Sequence, residues 1–216
     1  LSKRPGYSFR HFEIKNRMKF FKDICDIYNS TWTHLKKDFT PLEPSFLEES
    51  LGRSKSFLDQ ELIWFAYFND KPIGFFVLYP DLNQILRHLN GRLNFWNIIK
   101  FYYYKLTNEM TRVRAVAGGV EYSHQNTGVE SAIFYHLYQV FKRKKWLKEM
   151  ELSWVGDFNP KMLAIYEALG SKKAKVHVTY RYMINKNLMF VRYVDEMAEE
   201  QDVNAEKGRD KKAKGQ

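Results

Sequence analysis

The sequence has a single cysteine, Cys25, which excludes an intramolecular disulfide framework and any zinc or iron–sulfur site built on several thiolates. Long apolar runs are also missing. Leu62 to Phe68 and Ile73 to Tyr79 are seven residues each, far short of the roughly 20 that a membrane-spanning helix needs. No secretory pattern opens the chain at Leu1, so the cytoplasm is the expected compartment. His11, His34, His88, His136 and His177 show no metal-ligand spacing with one another, and no metal is expected. There is no internal repeat and no disordered composition: hydrophobic residues make up 44% and charged residues 28%.

What is plentiful is aromatic and basic. Aromatics reach 17% of 216 residues, enough large side chains to fill the core of one sizeable domain. Lys and Arg number 35 against 25 acidic residues, a net charge of +10. The stretch from Asp195 to Gln216 is acidic on balance, so the basic excess lies in the body. Such a body attracts polyanions: nucleic acid, anionic lipid or a phosphorylated small molecule. Its densest cluster, Lys142, Arg143, Lys144, Lys145 and Lys148, reads as the solvated end of a helix, where cations complement the dipole.

Residues 1–6 form a polar lead-in, and Tyr7 to Ile14 reads as a strand. From Asn16 to about Lys37 the apolar residues recur at helical spacing, with Asn29-Ser30-Thr31 as an interruption that could divide two helices. Pro44 opens a short helix through Leu51. Leu62 to Phe68 and Ile73 to Tyr79 predict a hairpin across Asn69-Asp70-Lys71-Pro72. Asp81 to Thr111 reads as largely helical. Its segment 92–106 is rich in aromatics that could pack over the sheet, line an acceptor pocket or face a partner subunit; core is favoured over nucleobase stacking. Strands are expected at Arg112 to Val120, Glu149 to Val155, Val176 to Ile184 and Leu188 to Val194, with helices between. The whole is mixed α/β (α+β), as a domain over 7–194 followed by a charged, flexible tail over 195–216.

Two segments carry chemistry. The loop Tyr122-Ser123-His124-Gln125-Asn126-Thr127-Gly128 runs from a strand straight into a helix, whose free N–H groups and positive dipole end suit a pyrophosphate. Further on, Asn159 is an N-cap, Pro160 suits the first helical position and Gly170 the left-handed exit. Tyr166 falls on the apolar face of that helix, with a hydroxyl that needs a partner if buried.

These segments resemble the GNAT N-acetyltransferase superfamily. The resemblance rests on Gly119-Val120-Glu121 through Gln125-Asn126-Thr127-Gly128-Val129-Glu130, and on Asp157-Phe158-Asn159 with Tyr166 and Gly170. Tyr28-Asn29 with Trp32, Phe39-Thr40-Pro41, Pro72-Ile73-Gly74-Phe75 and Pro80-Asp81-Leu82-Asn83 are similar to segments of a little-characterised group within it, so the chain looks like the acyltransferase domain of a longer protein. Two positions depart from the superfamily: Asn126 stands where many members have glycine, and Glu130 where a small residue is usual. A carboxylate there could crowd or repel the pyrophosphate.

The resemblance implies a single domain with a mixed, mostly antiparallel sheet flanked by helices. It implies acetyl-CoA or another acyl-CoA as co-substrate, with no metal, and a small-molecule or peptide amine as acceptor; a homodimer is compatible with it, and nucleic acid is disfavoured. By the same resemblance, Gly119 and Val120 would hold the pantetheine and the thioester carbonyl. Gln125, Asn126, Thr127, Gly128, Val129 and Glu130 would hold the pyrophosphate, Asn159 would contact the cofactor arm, and Tyr166 would protonate the leaving thiolate. Glu121 is the favoured general base, with Asp81, Asp157 and His124 as alternatives. The alternative function is a non-catalytic module of the same fold that senses acyl-CoA or binds a partner.

Overall fold

A computed structural model of the protein describes residues 1–2, 4–32, 40–54, 57–92, 94–107, 109–157, 159–192 and 195. The described residues up to Ser153 form one compact unit and those from Trp154 onward a second.

In the first unit, strand β1 (Tyr7–His11) is followed by helices α1 (Arg17–Trp32) and α2 (Pro44–Ser54), then strands β2 (Ile63–Phe68) and β3 (Lys71–Pro80). Helices α3 (Asn83–Leu86) and α4 (Phe95–Leu106) lead to β4 (Arg112–Val120), α5 (Val129–Arg143) and β5 (Glu149–Glu151). The sheet has five strands in the order β1-β2-β3-β4-β5. The first three pairings are antiparallel and β4–β5 is parallel. This is the mixed, mostly antiparallel α/β architecture expected from the sequence.

The hairpin turns on Asn69 and Asp70, both in the left-handed region with φ of 49° and 60°, as a two-residue turn matched to strand twist requires. Pro72 is therefore inside β3, next to an irregularity in the register at Ala66/Tyr67. As the central strand, β3 is covered on both faces, which is why it reads as a continuous apolar run. Phe65, Tyr67, Phe75 and Val77 pack with Phe20, Phe21 and Ile27 of α1. Phe76 turns the other way, its ring 4.8 Å from that of Phe134 in α5.

Helix α1 runs unbroken through Asn29-Ser30-Thr31 to Trp32; the rest of the expected helical stretch, 33–37, lies outside the described residues. The Ser30 and Thr31 hydroxyls donate back to the Ile27 carbonyl, so these residues satisfy themselves without breaking the turn. Cys25 is buried on α1, and burial pushes its thiol up to about 11, consistent with core rather than a nucleophile. Between α1 and the sheet, Tyr67 Oη donates to Asp23 Oδ2 at 2.5 Å and Lys19 Nζ donates to the same oxygen at 2.7 Å. The buried carboxylate is thereby paired, as burial demands.

The basic cluster at the end of α5 is only partly solvated. Lys144 Nζ lies 2.5 Å from Asp59 Oδ2 and 2.8 Å from Glu61 Oε2, and Arg143 also pairs with Glu61. The aromatic-core expectation for 92–106 holds for Phe101, which is buried, and in part for Tyr104; most other large side chains of α4 are exposed.

His136 on α5 stacks between Trp64 and Phe9, with ring centroids 4.7 and 5.0 Å away. Burial pushes its imidazole below the ordinary 6.5, so on acidification the unfolded chain takes up this proton before the folded one. The stability it contributes is complete above the unfolded value and lost as pH falls through the depressed folded one. The urea midpoint is expected to drop on acidification below pH 6.5, and His136→Phe, which keeps the stack, is expected to flatten that drop.

In the second unit, helix α6 (Pro160–Ala168) forms as expected. The expected strand at Val176 to Ile184 does not: no strand is assigned there, and Val176, Val178, Tyr180, Tyr182 and Ile184 are all exposed. Alternation gives a segment two faces, but a strand exists only through a ladder partner, and none of the described strands pairs with it. Residues 188–192 also form no strand, and β5 ends at Glu151 rather than Val155. The expected tail, apart from Asp195, lies outside the described residues.

Candidate functional site

The site begins with a bulge. Val77 pairs with Ala117 but Leu78 with Ala115, so Val116 is an extra residue on β4 and the strand bends there. On its other side, β4 pairs with β5 only from Arg112↔Glu149 to Arg114↔Glu151. Past that point the two strands lose their ladder, apart from a bond from the Ser153 hydroxyl to the Ala115 carbonyl. Among the described residues, the stretch to Val120 thus has an edge without a strand partner.

The register says which groups face that edge. Glu121 N–H donates to the Ile73 carbonyl at 2.8 Å, and Gly74 is opposite Val120. By antiparallel alternation, Val120 turns its own N–H away from β3 and toward the open edge. Its carbonyl accepts from Gln125 Nε2 at 3.3 Å, which folds the following loop back on the strand end. Gly118 has a packing reason: a Cβ there would come within 2.4 Å of the Phe76 ring. Gly119 does not, since its nearest neighbour would be Phe75 at 3.8 Å.

The loop then makes one short turn, Tyr122–His124, and enters α5 through Asn126 and Gly128 at φ of 62° and 89°. Thr127 Oγ1 donates to the His124 carbonyl at 2.6 Å. Gly128 supplies no side-chain cap to the helix, so among the described residues the first-turn N–H groups of Val129 and its successors have no intrahelical or side-chain acceptor. Glu130, half-buried in that first turn, places its carboxylate at the positive end of the dipole.

Glu121 stands where β4 meets this loop. Lys71 Nζ donates to its Oε1 at 2.8 Å. Its Oε2 is buried with no hydrogen-bond partner among the described residues, and His124 Nδ1 lies 3.4 Å from it. The His124 ring in turn rests 5.5 Å from that of Phe68. Lys71 was not foreseen as Glu121's neighbour; only the hairpin register brings them together. His124 could have been paired with Glu121 from its three-residue offset on a helical turn. Of the alternative bases, Asp81 is buried, bonds to Arg112 Nη1 at 3.3 Å and accepts from the Asn83 N–H at 3.1 Å. Both of its oxygens are thus engaged by neighbouring groups. Asp157 is exposed and paired with Arg192 at 3.4 Å.

Asn159 and Tyr166 belong to the second unit. Asn159 Oδ1 accepts from the Met162 N–H at 3.2 Å and so caps α6, Pro160 takes the first position, and Gly170 leaves at φ of 75°. Tyr166 is half-buried, and burial pushes its phenol above the ordinary 10. No group of three or more His, Cys, Asp or Glu residues able to hold a metal ion occurs among the described residues.

No protein-family model matches the sequence. The chain is 24% identical over 176 residues to Protein YghO of Escherichia coli strain K12, covering 78% of this chain and 45% of that one. It is 21% identical over 178 residues to the bacterial ceramide synthase of Caulobacter vibrioides, covering 81% and 46%. It therefore spans less than half the length of either relative. Among solved structures it superposes on an aminoglycoside acetyltransferase from an uncultured soil metagenomic sample, crystallised with trehalose. The TM-score is 0.53 and the identity 14%, over 82% of this chain and 97% of that one. A second crystal structure of that enzyme, with sisomicin, superposes with the same TM-score at 12% identity. At such identities the likeness is one of fold, and the fold is that of the GNAT acetyltransferase superfamily.

Proposed function

We propose that the chain is an N-acyltransferase that moves an acetyl or other acyl group from acyl-CoA to the primary amine of a small molecule or peptide. The observation that carries this reading is the open edge of β4 beyond the Val116 bulge, with the Val120 N–H turned outward and an uncapped helix start following it. An extended thioester arm needs backbone groups to pair with, and its pyrophosphate needs free N–H groups at a helix start; both lie on one continuous stretch of chain.

Acyl-CoA supplies the activated carbonyl and a thiolate leaving group. Glu121, through its unpartnered Oε2, takes a proton from the attacking amine directly or through water. Val120 N–H stabilises the oxyanion of the tetrahedral intermediate as the C–N bond forms. Tyr166 gives its proton to the sulfur as the C–S bond breaks. Gly119 lines the pantetheine path, Gln125 to Glu130 hold the pyrophosphate, and Asn159 contacts the cofactor arm.

The acceptor is a matter for screening. The solved structure is of an aminoglycoside acetyltransferase, and the Caulobacter relative is a ceramide synthase. Since a ceramide is the amide of a long-chain amine, such amines belong beside aminoglycosides and peptides in the screen. Glu130 favours a second reading, in which the fold senses acyl-CoA or binds a partner without turnover.

Calorimetric titration with acetyl-CoA, with CoA and 3′-dephospho-CoA in parallel, tests the reading. Saturable micromolar binding is expected, and an acceptor screen then separates enzyme from sensor. Failure of acetyl-CoA, CoA and longer acyl-CoAs at millimolar concentration would sink it and leave the partner-binding module.

A further inference from the structure

Helix α4 presents its apolar face outward. At roughly 100° per residue, Phe95, Trp96, Ile98, Ile99, Tyr102, Tyr103 and Leu106 share a stripe about 160° wide, and all seven are exposed, Trp96 at 70% and Leu106 at 80%. The opposite side holds the helix to the unit. Phe101 is buried with Ile85, Leu89 and Met110, Tyr104 packs against that cluster, and Asn97 Nδ2 donates to the carbonyls of Leu89 and Arg92. The exposed stripe is therefore not a poorly seated core face; the seated face is a different one.

Charge frames the stripe. Lys100 and Lys105 fall on its two margins, and Arg87 and Arg92 precede it, while no Asp or Glu occurs from Leu82 to Asn108. Lys105 leans over the Phe57 ring at 5.8 Å, and Arg87, Arg92 and Lys100 are exposed. Interfaces between proteins are depleted of lysine. A stripe of Trp, Tyr, Phe, Ile and Leu margined by Lys and Arg is instead the composition of a helix lying in a bilayer interface, its cations reaching up to lipid phosphates. The twelve residues of α4 are too short to span the hydrocarbon, so the helix can only lie along the surface.

We infer that α4 is a membrane-surface helix that docks the protein on anionic phospholipid, with the Phe95–Leu106 stripe inserted among the acyl chains and Arg92 and Lys100 held at the headgroup phosphates. This is independent of the acyl-transfer reading.

The test is co-sedimentation of the 216-residue chain with vesicles of phosphatidylcholine alone and of phosphatidylcholine mixed with phosphatidylglycerol, in low and high salt. Binding is expected to rise with phosphatidylglycerol and to weaken, without vanishing, in high salt, because the apolar part is not screened. The combined Phe95→Ser, Trp96→Ser, Leu106→Ser variant removes exposed side chains only and is expected to keep the wild-type melting temperature. It is expected to bind mixed vesicles at least tenfold more weakly. Arg92→Glu with Lys100→Glu is expected to cost about tenfold or more on mixed vesicles and little on phosphatidylcholine alone. Three outcomes would overturn the inference. One is no wild-type binding to mixed vesicles in low salt, and another is wild-type binding by the serine variant. The third is a concentration-dependent dimer, abolished by the serine substitutions, in a protein that ignores vesicles.

Discussion

Replacing Tyr166 with Phe is expected to lower kcat by about 10²–10⁴-fold, the worth of a positioned general acid, with acetyl-CoA binding unchanged. The substitution deletes one hydroxyl and keeps the ring, so the half-buried packing of α6 survives. A departing thiolate without a proton donor must leave as the anion, which raises the barrier by roughly 2.7–5.4 kcal/mol for that range of rate. Burial holds the phenol above its ordinary 10, so wild-type Tyr166 keeps its proton through the whole neutral and mildly alkaline range. The sign follows: an acid acts while protonated, so a raised value moves the alkaline fall in kcat above pH 10, and that fall should be missing from the residual activity of the variant. Calorimetry on both proteins with acetyl-CoA, and a pH profile of kcat, check the two halves. A variant with wild-type kcat removes Tyr166 from the mechanism, while a matching loss of acetyl-CoA affinity would make it a binding residue.

The sequence was most readable where local chemistry decides the backbone. Asn69-Asp70 tolerate the left-handed region and sit between two apolar runs, and the hairpin is there. Asn159, Pro160 and Gly170 each suit one position at a helix end, and α6 starts and stops accordingly. The bounds of β4 were also legible, because a polar loop with a glycine follows it. Less readable was anything set by what lies opposite. The alternation at Val176 to Ile184 is as regular as that of any strand, yet pairing is a property of two segments and only one is written there. Val116 looks like one more β4 residue until the register of β3 shows it to be surplus. Helix α4 is a similar case: periodicity yields two faces, and only the packed structure says that Asn97, Phe101 and Tyr104 are the inward one.

The candidate site divides in the same way. Loop and helix start were visible as residue types, but the direction of the Val120 N–H follows only from the Gly74 pairing. Glu121 is legible in the sequence as a candidate base only by its place at a strand end. Its pairing with Lys71, fifty residues away in sequence, and the unpartnered second oxygen needed the sheet to be seen. The surroundings of Asp81 likewise needed the sheet. A carboxylate just past a strand end looks catalytic in sequence, and the structure has it buried on Arg112 and capping a turn.

Phe65→Ala is expected to destabilise the first unit by about 3–5 kcal/mol, a large part of the stability a domain of this kind has to spare. Phe65 is 0% exposed, and its ring lies 4.8 Å from that of Phe20 and 6.4 Å from those of Tyr67 and Phe75. It is thus a main contact between α1 and the two strands that support β4. Collapse cannot fill the gap cheaply. The Phe20 side is fixed by α1, which the paired Asp23, Lys19 and Tyr67 hold to the sheet, and the other side is strand backbone in ladder register. The loss therefore combines the transfer energy of the ring with a residual cavity. Urea unfolding of wild type and variant measures it directly, and Phe65→Leu, which leaves a smaller void, should lose distinctly less. The serine variant of α4 is the internal control: it removes two aromatics and a leucine where Phe65→Ala removes one aromatic, yet it should leave the urea midpoint where it was. If both unfold early, the α4 stripe is core; if neither does, the cluster around Phe65 is not what holds the sheet to α1.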